Sequence, residues 1–121
     1  MARTIQQVYL DYSGHVEFLG IEISSPHTKG GFDSTLLHLA AYRGDLEACD
    51  LLIQNGADVN ARGNLQNTPL HDAALANNDK IIEFLLVNEA NKNLENEFGQ
   101  TPLKVALIGN KEKEILLLKK K

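Results

Sequence analysis

Apolar residues recur along this chain at the spacing of short helices, and the helices come in pairs. Leu37, Ala40 and Ala41 form an apolar stripe at helical spacing, and Gly44 follows as a helix breaker. Gly56 is suited to end the next helix as a C-cap. The apolar positions of that second helix are Leu46, Cys49, Leu51, Leu52 and Ile53. The pattern therefore predicts two short antiparallel helices joined near Gly44.

This pattern returns at a fixed period along the chain. The segment TLLHLAA at 35–41 returns as TPLHDAA at 68–74 and, in a weaker form, as TPLKVAL at 101–107. The segment GADVN at 56–60 returns as EANKN at 89–93, in the same register. Such a period is typical of repeat proteins, in which each unit packs on its neighbours. The chain is predicted to contain three units, which are residues 31–63, 64–96 and a truncated 97–121.

Each predicted unit begins with a threonine, a residue that suits a helix N-cap because its side-chain oxygen can accept a bond from a first-turn N–H. These threonines are Thr35, Thr68 and Thr101. Pro69 and Pro102 follow two of them, and proline fits the first turn since it lacks an N–H that needs a partner. The second helices of the later units carry Ile81, Ile82, Phe84, Leu85 and Leu86, then Ile115, Leu116, Leu117 and Leu118.

Together these motifs resemble the ankyrin repeat over residues 31–121. The resemblance implies a mainly α fold, a helical solenoid of stacked helix pairs. It also implies that His38 and His71 are structural residues that tie adjacent loops together. Glu89 stands where the motif has glycine, so we expect that helix end to be strained slightly or capped otherwise. Lys104 replaces the motif's histidine, and the third unit lacks the GADVN tail.

The N-terminal segment, 1–30, lacks the repeat signature, and we expect it to form a β-hairpin cap on the first unit. Strands at 8–11 and 15–23 would be joined by a three-residue loop with Gly14 in the left-handed conformation. A bulge at Gly20 would keep the alternation in phase. The face shared by the two strands would hold Val8, Leu10, Val16 and Phe18. The segment also resembles a short hairpin of small bacterial domains that carry an L-D…G-I-E-I signature.

The alternative for this segment is a degenerate ankyrin unit. Residues 14–19 align with residues 44–49 at an offset of 30, although their β-branched and aromatic side chains suit strands better. In both interpretations residues 24–31 form a linker. The chain is thus divided into a capping segment, 1–30, and a repeat domain, 31–121.

Composition and charge give no support to several classes of partner. The 121 residues carry a net charge of −4, which favours neither nucleic acid nor an anionic membrane as a partner. Lys119, Lys120 and Lys121 are expected to complement a helix dipole. One cysteine permits no intramolecular disulfide, and there is no signal-peptide h-region or membrane-spanning run. We expect a cytoplasmic protein.

No set of side chains predicts catalysis or metal binding. His15 and His27 have no partner at metal-ligand spacing, and Cys49 occupies an apolar helix position. There is no glycine-rich phosphate loop. The chain is therefore expected to have no catalytic residues, no metal and no cofactor, and not to be an enzyme. Thr35, His38, Thr68, His71 and Thr101 are assigned structural roles.

A partner is expected on the concave surface that the resemblance implies, formed by the loop tips and the outward side of the first helices. Tyr42 and Arg43 are the strongest candidates, because both residue types are enriched in binding hot spots. The alternative for the apolar candidates is partial burial against neighbouring loops or helices. The candidate partner-binding residues are Phe32, Tyr42, Arg43, Arg62, Asn64, Leu65, Asn67, Leu75, Glu97, Phe98 and Ile108.

The function we expect is a non-catalytic protein–protein interaction module, monomeric when free. A sharper hypothesis is a bacterial inhibitor or immunity protein that binds a cognate toxin or enzyme, because the chain is short, acidic and carries an extension without the repeat signature. The alternative is a structural scaffold subunit that self-associates or caps a longer repeat array, suggested by residues 116–118.

Overall fold

The computed structural model describes residues 3–109 and 111–119, and these residues are mainly helical. Two single 3₁₀ turns, Val16–Phe18 and Asn64–Gln66, accompany the α-helices. No residue in the described ranges forms a β-strand. The α-helices are α1 (Ile5–Ser13), α2 (Leu36–Arg43), α3 (Leu46–Gln54), α4 (Pro69–Leu75), α5 (Asp79–Val87), α6 (Pro102–Ile108) and α7 (Glu112–Lys119).

Helices α2 to α7 form three consecutive pairs that stack as a solenoid. Within the pairs, α2 packs on α3, α4 on α5 and α6 on α7. Between the pairs, the first helices stack as α2, α4 and α6. Ala40, Ala41, Ala73 and Ala74 are completely buried in this stack, and their small side chains let adjacent helices approach closely. The mainly helical repeat architecture expected from the periodic pattern is confirmed.

The second helix of each later pair begins next to a residue that contacts the preceding unit. Asn78 Nδ2 donates to the carbonyls of Ala41 and Tyr42, at 3.2 and 3.0 Å. Lys111, at the equivalent position of the next unit, donates from Nζ to the carbonyl of Ala74 at 2.6 Å. These bonds satisfy carbonyl groups at the end of a first helix, where no intrahelical partner exists.

One of the three lysines expected to complement a helix dipole stands at the end of α7. Lys119 lies in the last turn of that helix, where a positive charge is favourable. Lys120 and Lys121, which were expected to share this role, lie outside the described residues.

The expected β-hairpin cap is wrong, because residues 5–13 form α1. Thr4 and Gln7 make a capping box: the Gln7 N–H donates to Thr4 Oγ1 at 3.2 Å, and the Thr4 N–H donates to Gln7 Oε1 at 2.8 Å. Val8 and Tyr12 lie one helical turn apart, and both are buried. The face predicted for the hairpin is divided, since Val8 and Phe18 are buried while Leu10 and Val16 are exposed.

The glycines of this segment also differ from the hairpin prediction. Gly14 ends α1 with a φ of −83°, a right-handed value, whereas Gly44, at the equivalent place after α2, is left-handed with a φ of 74°. His15 then precedes the 3₁₀ turn as Asp45 precedes α3, and its Nδ1 accepts the Glu17 N–H at 3.1 Å. The segment thus consists of a helix followed by a single 3₁₀ turn. This order agrees with the alternative interpretation, a degenerate ankyrin unit, with its second helix reduced to one turn.

Polar contacts hold α1 against α3. The Tyr12 hydroxyl donates to Asp45 Oδ2 at 2.8 Å. The Arg3 guanidinium bonds both oxygens of Asp45, at 2.9 and 3.1 Å, and also reaches Asp11 and Glu47. Partial burial acts to raise the pKa of Asp45, but the bonds from Arg3 and Tyr12 outweigh it and hold that pKa below its ordinary value.

The end of α5 carries backbone strain that the end of α3 avoids. Gly56 follows α3 with a φ of 95°, and Glu89 occupies the equivalent place after α5 with a φ of 70°. A non-glycine residue in this left-handed region costs roughly 1–2 kcal/mol because its Cβ crowds the following carbonyl. The expectation that Glu89 would be strained therefore matches its backbone conformation.

Glu89→Gly should raise the free energy of unfolding by about 1 kcal/mol, since the relief of strain exceeds the added entropy of the unfolded chain. The matched control is Gly56→Ala. An added Cβ there meets nothing within 4 Å, so its loss of about 1 kcal/mol would come from the backbone conformation alone. Urea unfolding of both variants measures the changes, and a destabilised Glu89→Gly would contradict this assignment.

Candidate functional site

A buried histidine links each of the first two repeat units to the loop of the next unit. His38 Nδ1 accepts the Thr35 N–H at 3.1 Å, and His38 Nε2 lies 2.9 Å from the carbonyl oxygen of Asn67. His71 repeats both contacts in the next unit, with Thr68 at 3.0 Å and the carbonyl of Gln100 at 2.7 Å. Each imidazole therefore spans from a helix N-terminus to the neighbouring loop.

These contacts fix the tautomer of the histidines. A carbonyl can only accept, so Nε2 carries the proton, and Nδ1 is the acceptor for the threonine N–H. Burial lowers the pKa of His38 to about 4 and also lowers the pKa of His71. Protonation would place a second N–H against the Thr35 N–H. The stability that neutral His38 contributes is therefore present above its unfolded pKa of about 6.5 and is lost as the pH falls towards 4.

Three loops closed by equivalent backbone bonds precede α2, α4 and α6, and the middle loop differs from the others in that Leu65 is also left-handed, with a φ of 57°. Their closing bonds run from the N–H of Gly30 to Ser34, of Gly63 to Asn67 and of Asn96 to Gln100, each at 2.8 Å. Gly63 is required at its position because an added Cβ would lie 2.7 Å from His38 Nε2. The tips of the loops turn through left-handed residues, namely Asp33, Gln66 and Gly99.

Basic side chains connect one loop to the next. Lys29 Nζ donates to the carbonyl of Arg62 at 2.6 Å, and Arg62, at the equivalent position of the next loop, donates to the carbonyl of Glu95. A backbone bond from the Glu97 N–H to the carbonyl of Leu65, at 2.8 Å, adds a further link. The three loop tips are thus held in a fixed relative position.

Large apolar side chains project from equivalent places in the three units. We name Phe32, Leu65 and Phe98 at the loop tips the fingertip row, and Tyr42, Leu75 and Ile108 near the ends of α2, α4 and α6 the helix-end row. Successive members of each row are one repeat period apart, and the exposed fraction of all six lies between 43% and 66%. Of the four residues for which partial burial was the alternative, Leu65 and Leu75 are 43% and 49% exposed, and Phe98 and Ile108 are 63% and 66% exposed.

The other candidate residues differ in what they offer a partner. Asn64 and Glu97 are exposed beside the fingertip row. Arg62 is half-buried and bonded to the carbonyls of Gln66 and Glu95. Asn67 is only 7% exposed and its Oδ1 accepts from Asn96 Nδ2 at 3.0 Å, so it lies under the surface rather than on it.

Arg43 makes a contact that the sequence did not indicate. Its guanidinium carbon lies 4.9 Å from the centre of the Tyr12 ring, a cation–π geometry. Arg43 remains exposed, at the end of α2 and directly after Tyr42 of the helix-end row. Helix α1 therefore supports one edge of the candidate surface.

A half-buried carboxyl group on α4, that of Asp72, was not identified from the sequence. Leu39 and Val105 occupy the equivalent position in the other units. A charged residue at a position that is apolar in the other two units could have identified Asp72 from the sequence. Burial, with a smaller contribution from the charge of Glu17, raises the pKa of Asp72 to about 7. Glu17 is itself buried and accepts the Ser34 N–H at 2.8 Å.

The described residues include neither an ionised cysteine nor a cluster of metal ligands. Cys49 is completely buried, and burial raises the pKa of its thiol to about 12, so it is protonated at neutral pH. Within the described ranges no three His, Cys, Asp or Glu side chains gather as ligands for a metal ion. None of the helices described above is long and apolar enough to cross a membrane.

Stacked helix pairs with a histidine link between units define a helical repeat protein. A comparison with protein families matches residues 8–96 to ankyrin repeats, in three copies. The chain belongs to the ankyrin-repeat family, whose members are typically non-catalytic modules that mediate protein–protein interaction. No curated protein matches the sequence. The match begins within α1, and the division into 1–30 and 31–121 stays a prediction.

His71→Ala should lower the free energy of unfolding by about 1–3 kcal/mol, because the partly buried carbonyl of Gln100 and the buried Thr68 N–H both lose a partner. Lys104→Ala is the matched control: it changes the equivalent position of the third unit, which is exposed, and should cost less than about 0.5 kcal/mol. Urea unfolding at pH 7 compares them. Equal costs for the two variants would refute the structural role of His71.

Asp72→Asn should stabilise the protein at pH 8 by about 1 kcal/mol or more and leave it unchanged at pH 4. The pKa of Asp72 is raised from 3.8 to about 7, so the wild-type protein loses stability as the pH rises from 4 to 7. The variant cannot ionise and escapes this loss. Unfolding midpoints measured from pH 4 to 8 give the difference, with Asp50→Asn on the exposed side of α3 as control. A constant difference across this range would contradict the assignment.

Proposed function

We propose that this chain is a non-catalytic binding module, and that a partner protein docks across the fingertip row and the helix-end row. The observation that carries the proposal is the regular exposure of six large apolar side chains, with one member of each row supplied by every unit. Exposed apolar side chains gathered on one face are typical of protein-binding surfaces, whereas single exposed ones are ordinary.

The rigidity of the surface supports the same proposal. Both nitrogens of His38 and His71 are bonded, and the loops are joined through Lys29 and Arg62. A surface whose geometry is already fixed loses less conformational entropy when a partner docks. Binding therefore needs no rearrangement of the units.

The more specific proposal is that the partner is a toxin or an enzyme, which this protein inhibits as its cognate immunity protein in the cytoplasm. The net charge of −4 and the single buried cysteine suit an inhibitor in a reducing compartment. Purified protein should then suppress the activity of a toxin or enzyme encoded beside its gene. The absence of any such neighbouring gene would count against the inhibitor role but not against binding.

Alanine substitutions on opposite sides of the molecule test the proposed surface. A tagged protein is used to capture its partner from lysate of its source cells, and the partner is identified by mass spectrometry. Tyr42→Ala and Leu75→Ala should each weaken affinity about tenfold, because each removes a large apolar contact. Val87→Ala and Leu116→Ala are the matched controls, since these residues are also large, apolar and exposed but lie on α5 and α7. Loss of binding only in the two controls would refute the proposed surface.

A second candidate function, self-association, is favoured by the exposure of Val87 and Leu116, which are 77% and 66% exposed. They lie beside shallow depressions lined by α5 and α7. Of the three consecutive leucines, Leu118 is buried and Leu116 is the most exposed. Gel filtration with light scattering distinguishes the candidates: a dimer that dissociates in Leu116→Lys supports self-association, and a wild-type monomer excludes it.

A further inference from the structure

The guanidinium of Arg43 contacts an aromatic side chain of helix α1. It lies over the ring of Tyr12, with 4.9 Å between the guanidinium carbon and the ring centre. The Tyr12 side chain is 1% exposed, and its hydroxyl donates to Asp45 at 2.8 Å, so the ring has a fixed orientation. The N–H groups of a guanidinium lie at the edge of its plane, so a contact between its face and an aromatic ring leaves them able to bond another group.

The carboxylates at the contact between α1 and α3 pair with a different cation, Arg3. Asp45, Asp11 and Glu47 all pair with Arg3, at distances between 2.8 and 3.3 Å. Among the described residues, no carboxylate oxygen lies within 4.0 Å of the Arg43 guanidinium. Arg43 is therefore an exposed cation that has an aromatic support but no anionic partner within the described protein.

Arg43 also stands at a distinctive place on the proposed surface. It follows Tyr42 of the helix-end row, and the equivalent positions in the other two units are the uncharged Ala76 and Gly109. The helix-end row therefore begins with a positive charge at the first unit only. A partner that lies along the row meets this charge at one end, which fixes its direction.

We propose that Arg43 binds the carboxylate of an aspartate or glutamate side chain of the partner, next to an apolar side chain that packs on Tyr42. This inference rests on the proposed function and adds the chemistry of the partner to it. Arginine bonds a carboxylate through two parallel N–H groups, which gives both strength and direction. Tyr12 is a positioning residue in this arrangement, because it acts on the partner only through Arg43.

A random peptide library displayed on phage tests the inference. The peptides are fused through their C-termini, so that the only carboxylates they offer are those of aspartate and glutamate. Selection on the wild-type protein should enrich peptides with an acidic residue at a fixed spacing from an apolar one. Selection on Arg43→Gln should retain the apolar residue and lose the acidic one. The control is Lys80→Gln, at an exposed position of α5, and selection on it should still enrich the acidic residue.

A synthetic copy of one enriched peptide then measures the pairing. Arg43→Gln, and separately the change of the peptide's acidic residue to its amide, should each weaken binding about tenfold, and the two changes together should cost little more than either alone. Tyr12→Phe keeps the ring under Arg43 and should keep most of this coupling, whereas Tyr12→Leu should lose it. Circular dichroism establishes that both Tyr12 variants are folded at the temperature of measurement.

Two results would overturn the inference, and they are distinguishable. Peptides that bind the fingertip and helix-end rows without an acidic residue, and equally well to Arg43→Gln, would overturn the role of Arg43 and leave the proposed function intact. Peptides whose binding is unaffected by Tyr42→Ala and Leu75→Ala would overturn the proposed function and this inference with it.

Discussion

The hydrogen bond from a buried histidine to the carbonyl of the next loop is the interaction on which the rest of the structure depends. His38 and His71 each join a helix N-terminus of one unit to the loop that starts the next. Because both ring nitrogens are used, the distance between successive loops is fixed. The loop tips and the helix ends recur once in each unit, which arranges six large apolar side chains in two rows.

The repeat could be predicted from the sequence because each signal occurs more than once. The threonine, the histidine and the paired alanines recur in the same order, and each occurrence supports the others. The N-terminal segment occurs once, and its β-branched and aromatic residues alternate in a way that suits strands as well as a helix. The capping box of Thr4 and Gln7 was the local signal for a helix, and burial of Val8 and Tyr12 against the first unit decided the outcome.

The candidate surface could be predicted only in part. Residues one repeat period apart lie at equivalent places in successive units. The members of the fingertip row and the helix-end row could therefore be identified from the period alone. The burial of Asn67 and the contact of Arg43 with Tyr12 depend on side chains from other units, and no periodic pattern encodes them. The raised pKa of Asp72 likewise results from burial in the folded chain, although its polar character in an apolar register marked the position.

Hydrogen–deuterium exchange of the protein with and without its captured partner tests the central claim most directly. If the partner docks across the two rows, amide protection should increase at the three loop tips, 31–34, 64–67 and 97–100, and at the C-terminal ends of α2, α4 and α6. The helices α3, α5 and α7 should exchange as they do in the free protein. Protection confined to α5 and α7 would contradict the claim and place the partner on the opposite side of the solenoid.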